Sequence, residues 1–396
     1  MTELEMFKRQ IEQDTFEGNP TAILELAQMN GGTSILLTKA EDFTDEARKA
    51  REQATKHIRQ GYRDILARHA VGKEDYPIPL WSLDVWNDVK AAIPEAERSK
   101  LDRTLSTVLY GRDPNAWTIW HPTGSIIAID MALLPILEYM NQAMLRVRQR
   151  VNTAGGLSEG FYRSVLAPYL MYFYVLPSPS ALPGTVGMTK PAYLLLKSLC
   201  RHQTHFIYGH EIGHVILGHN NGEKRLGVIP NSGSTHVEMY QRDQDAEFGA
   251  DAFGLRVLMG TATRRSKVGA VEDPKEVTDD KLLDLAADLS GAYEHAHLGL
   301  ELLFVYFEAF EKTTRHLVRT LHGSEIHEEL LSHPPAPTRL ERLRKASPWF
   351  ELDPENQELV SLSRTALVDV WVKYLESLSG PQIAELIQQI KSGGQA

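Results

Sequence analysis

Apolar positions recur at helical spacing through most of the chain, and only one short stretch alternates as strands do. Residues 42–70 set small and charged residues around Ala47, Ala50, Ala54, Ile58 and Ile65, which predicts an amphipathic helix. Residues 281–318 place Leu298, Leu302, Val305 and Phe307 on one apolar surface, and residues 358–391 read as two helices broken at Gly380-Pro381. Residues 117–120 and 125–129, joined through His121-Pro-Thr-Gly124, read instead as a β-hairpin with a Pro-Gly turn. An extended peptide could add as a further strand to an exposed edge of that hairpin, along residues 125–129. Residues 177–190 and 220–234 are rich in Pro, Gly, Ser and Asn and read as loops. The expected fold class is α+β, mostly α-helical, with a small β-sheet. A helical region at 1–100, a core at 101–345 and a helical region at 346–396 follow, with Trp81 and Trp86 as core anchors.

Residues 210–214 read His-Glu-Ile-Gly-His. Positions four apart on a helix share a face, so His210 and His214 can present imidazole nitrogens to one metal ion with Glu211 beside it. Catalytic zinc takes three protein ligands and keeps a position for water, whose pKa falls to about 7. Glu247, in the run 245–254, is the candidate third ligand. Asp251, one turn on, can accept the second ring N–H of a ligand histidine and fix its tautomer, while Gly249 and Ala250 allow close helix packing. Glu211 is then the general base. Phe206, Ile207, Val215, Ile216 and Leu217 surround the motif, so its polar groups would be costly to bury without a metal.

The other histidines carry a plainer expectation. His202, His205 and His219 flank the motif away from the ligand stripe and read as surface or packing residues. His295 and His297 lie two apart and cannot face one side of a helix, so no second metal is expected there.

Composition narrows the setting. The 396 residues are 42% apolar, enough for a sizeable core, and the net charge of −10 argues against nucleic acid held on a basic face. The single cysteine, Cys200, excludes an intrachain disulfide and a cysteine-rich metal site, and points to a reduced, cytoplasmic compartment. No secretory signal is read at the N-terminus. The longest apolar run, 165–176, contains Pro168 and is too short to span a bilayer, so no membrane insertion is expected.

Further elements flank the metal motif in a recognisable order. Asn115-Ala-Trp117, then 124–129 and Leu133-Leu134, precede it; Ser332-His333-Pro334-Pro335 with Arg339 six residues past the histidine follows it. This arrangement, over roughly residues 100–345, resembles the gluzincin zinc metallopeptidases, and among them soluble relatives of the CAAX prenyl proteases and heat-shock membrane endopeptidases. The resemblance implies a zincin-like catalytic core with an edge strand facing the cleft. It implies one zinc ion per chain and hydrolysis of an internal peptide bond in a protein or peptide substrate. His333 is implied to stabilise the oxyanion, the other reading being a loop histidine ahead of a Pro-Pro stop, and Arg339 is read as a structural ion-pair partner. The family's membrane members carry several spanning helices that this chain lacks, so no intramembrane or prenyl substrate is implied. Two alternatives stay open: a non-catalytic zinc-stabilised binding or sensor module, against which Glu211 speaks, and a cytoplasmic peptidase activated by stress or phage infection.

Overall fold

The computed structural model describes residues 2–17, 80–109, 115–154, 189–220, 224–228, 236–240, 244–266, 279–322, 333–347 and 351–391. The amphipathic stretch at 42–70, the apolar run at 165–176, most of the loop at 177–190 and the side chain of Trp81 lie outside the described residues.

The helices in chain order are α1 (Glu3–Glu17), α2 (Leu80–Ala92), α3 (Glu95–Arg98), α4 (Leu133–Ala154), α5 (Lys190–Leu217) and α6 (Gln244–Arg265). They continue with α7 (Asp279–His322), α8 (Ala336–Ala346), α9 (Pro354–Arg364), α10 (Lys373–Glu376) and α11 (Gly380–Lys391), with a π-helical stretch, Thr365–Val372, joining α9 to α10. The fold is α+β and mostly helical. Pro381 falls in the first turn of α11, where its missing N–H has no helical partner to lose, so Gly380-Pro381 opens the last helix and the break falls just before it.

Three strands form a mixed sheet, β1 (Thr104–Leu109), β2 (Ala116–His121) and β3 (Gly124–Asp130), in the order β1-β3-β2. β2 and β3 are the expected hairpin, antiparallel with Thr118 opposite Ile127. The edge expected at 125–129 is corrected: β3 is the central strand, because β1 pairs parallel to it from Thr104↔Ser125 to Leu109↔Asp130. The two edge strands of this sheet are β1 and β2. Hairpin signals are local, whereas the choice of flank for a third strand depends on distant packing.

Both faces of β3 are buried, which is why its sequence reads as a nearly unbroken apolar run. Ile127 and Ile129 join the main core, while Ile126 and Ala128 pack with Leu109, Ile119 and α1 residues Leu4 and Ile11. The main core draws on all three sequence ranges: Val85 and Val89 of α2, Phe206, Ile212, Leu258 and Phe304 of the long helices, and Leu359, Leu367 and Trp371 near the C-terminus. Trp86 packs half-buried against it.

A second hairpin, β4 (Lys224–Val228) with β5 (His236–Tyr240), occupies part of the segment expected to be a loop at 220–234. Its strands are five residues each, too short for alternation to stand out between turn residues. β5 lies beside β2 without joining its sheet. Among the described residues, no helix is long and apolar enough to cross a membrane.

Candidate metal centre

α5 is built to start and stop sharply around the motif. Thr189 caps its N-terminus by accepting from the Ala192 N–H at 3.4 Å, and Pro191 occupies the first turn. Its C-terminus ends on Gly218 in the left-handed conformation, φ 73°, which a side chain would strain. Against α5 packs α6 along a seam of glycine and alanine: a Cβ on Gly209 would stand 3.0 Å from the Gly254 Cα, and one on Gly213 3.1 Å from the Ala250 Cα. That close approach lets short carboxylates on α6 reach the histidines of α5. Gly249, expected in the same seam, faces Leu217 and His219 instead.

The helix pair brings His210, His214 and Glu247 to one point. The two Nε2 atoms lie 3.1 Å apart, Glu247 Oε2 is 3.5 Å from His210 Nε2, and Glu247 Oε1 is 3.6 Å from His214 Nε2. Tetrahedral coordination with bonds of about 2.0–2.2 Å sets neighbouring donors roughly 3.3–3.6 Å apart, so this set fits a divalent cation. Two overlapping groups, His210 with Glu211 and His214, and His210 with Glu247 and His333, have donor atoms within 4.8 Å of one another and could hold a metal ion. All of these side chains except His333 are buried, so water cannot stabilise their charges.

Asp251 lies where a partner for a ligand histidine is needed, its Oδ1 2.9 Å from His210 Nδ1. The proton on Nδ1 leaves the Nε2 lone pair facing the donor set. Burial works against a charged His210, yet the hydrogen bonds to Asp251 and then Glu247 win and push its pKa up to about 9. Asp251 itself is disfavoured as a charge by burial but held well below the usual carboxylate range, first by Arg339 and then by His210. Arg339 therefore has the ion-pair geometry expected of it, and its guanidinium also lies 5.2 Å from the Phe304 ring centre.

Neither a family model, nor a curated protein, nor a solved structure matches the chain.

Two contacts escaped the sequence reading. The Thr118 hydroxyl, on β2, lies 2.7 Å from Glu211 Oε2 and 3.0 Å from the Glu211 carbonyl, fixing the carboxylate. Nothing local could announce a pairing across 93 positions. His219, expected to be a surface or packing residue, has its Nδ1 2.9 Å from His214 Nδ1. A signal existed for this one, because a glycine just past a helix end turns the chain back over the last turn.

The remaining histidines divide cleanly. His333 Nε2 is 3.3 Å from Glu247 Oε2, with its ring centre 5.7 Å from that of His210. His202 and His205 are buried, not at the surface, and His205 Nε2 lies 3.3 Å from Asp88 Oδ2. His295 is exposed and His297 buried, as two positions on opposite sides of a helix must be.

Proposed function

We propose that the chain is a zinc-dependent endopeptidase of the gluzincin kind, acting in the cytoplasm on an extended segment of a protein or peptide. The observation that carries this reading is the Glu211 carboxylate. Its Oε1 lies 3.9 Å from His210 Nε2, beside a two-histidine, one-carboxylate donor set that does not need it for binding. His210, His214 and Glu247 would hold the zinc, whose Lewis acidity lowers the pKa of water and polarises a carbonyl.

The chain's own groups then divide the work. Thr118 holds Oε2 of Glu211, and the carboxylate so oriented would take the proton of the attacking water and return it to the leaving amine. His333 would donate a ring N–H to the oxyanion as the carbonyl becomes tetrahedral. The edge strand β2, which carries Thr118, would align the substrate by main-chain pairing, which tolerates many sequences. The buried, reduced Cys200 fits the cytoplasmic setting.

The test pairs metal analysis with cleavage of an unfolded protein. Wild type should carry about one zinc per chain, His210→Ala should lose it, and Glu211→Gln should keep it while cleaving about a hundredfold or more slower. Zinc-loaded Glu211→Gln cutting at the wild-type rate would remove the proposed base.

A further inference from the structure

The two histidines of the motif are held by unlike partners. His210 faces the carboxylate of Asp251, whereas His214 faces a second imidazole, that of His219. Two ring nitrogens 2.9 Å apart need one donor and one acceptor. With His214 Nε2, which faces His210 and Glu247, given to the metal, its Nδ1 would carry the proton and His219 would accept it, in the tautomer with hydrogen on its own Nε2.

Three further features hold His219 in this place. Gly218 reverses the chain at the end of α5, and the His219 N–H donates to the His214 carbonyl at 2.9 Å. The ring then lies against α6 at Gly249, where an added Cβ would stand 3.5 Å from His219 Cε1. Gly249 is two residues past Glu247. His219 thus ties the last turn of the histidine helix to the first turns of the helix that brings the carboxylate.

We propose that His219 is a positioning residue for the metal: it orients His214 and completes the site, on the reading that His210, His214 and Glu247 bind zinc. A metal-bound histidine gains basicity when its second N–H meets a carboxylate, and less when it meets a neutral ring. The two imidazoles therefore bind unequally. His210 meets a carboxylate, and His214 meets an imidazole.

Zinc competition against a chelator, with the melting temperature of the zinc-free protein as a control, tests this. His219→Ala should weaken zinc binding by about 10–100-fold and leave zinc-free melting unchanged, since partners of ligand histidines have effects of that order. His219→Asn, whose side-chain oxygen can take the place of Nδ1, should restore binding to within about threefold of wild type. Wild-type affinity in His219→Ala overturns the inference. So does equal loss in both variants, or loss that tracks a fall in zinc-free melting, which would mark a packing role. Wild-type protein that binds no zinc would sink the peptidase reading and this inference together, whereas zinc-binding wild type with an indifferent His219→Ala would sink this inference alone.

Discussion

Arg339 and His210 share the carboxylate of Asp251: the guanidinium Nε is 2.8 Å from Oδ2 and its Nη2 2.6 Å from Oδ1, which also lies 2.9 Å from His210 Nδ1. The element that follows His333 is thereby fastened to the helix of His210 and His214 through one buried side chain. Arg339→Met would leave Asp251 charged, buried and without its guanidinium. We expect a loss of about 3–5 kcal/mol of stability on denaturant unfolding, the usual result of removing one partner of a buried pair. Arg339→Lys should rescue it only in part, because an ammonium cannot reproduce the two-point contact. Full stability in Arg339→Met would show that Asp251 takes up a proton or finds another partner.

The Thr118 hydroxyl makes a charge-assisted bond to Glu211, and such bonds contribute about 1.5–3 kcal/mol. Thr118→Val keeps the shape and removes the donor. Its kcat should fall by about 10- to 100-fold with zinc content unchanged, while Thr118→Ser stays near wild type. A valine variant of undiminished kcat would mean that Glu211 is oriented by something else.

His333 lies within 3.3 Å of Glu247, and its side chain is 22% exposed, more open than His210, Glu211, His214 or Glu247. His333→Ala should lower kcat by about ten- to a thousandfold with zinc retained, the span found on removing one oxyanion donor. Loss of zinc in that variant would make the residue a ligand or a structural support. An unchanged kcat would place it outside the reaction.

Acid sensitivity should trace in part to His202. Burial, and after it the neighbouring His205, lowers its pKa from 6.5 to about 3. The unfolded chain therefore binds more protons than the folded one between these two values. The stabilising contribution is fully present above about pH 6.5 and is lost progressively as pH falls toward 3. His202→Gln should lose less stability than wild type between pH 7.5 and 5, read from urea midpoints. Parallel losses in the two proteins would assign the acid response elsewhere.

Much of the site was legible in one dimension because helix geometry is local. His210 and His214 stand four apart, as do Glu247 and Asp251, and a helix puts each pair on one face whatever surrounds it. The β2–β3 hairpin was legible for the same reason, since its turn residues and its alternation are neighbours in sequence. Long-range choices were not. Which flank of β3 receives β1, and hence that β3 is the central strand, depends on burying Ile126 and Ala128 under α1 and Ile127 and Ile129 in the main core. Only the meeting of β2 with α5 sets Thr118 on Glu211, and only the left-handed turn at Gly218 swings His219 under His214. Helical period determines which side chains share a face, but the partners of that face are decided by close packing, here a glycine and alanine seam that lets α5 and α6 touch.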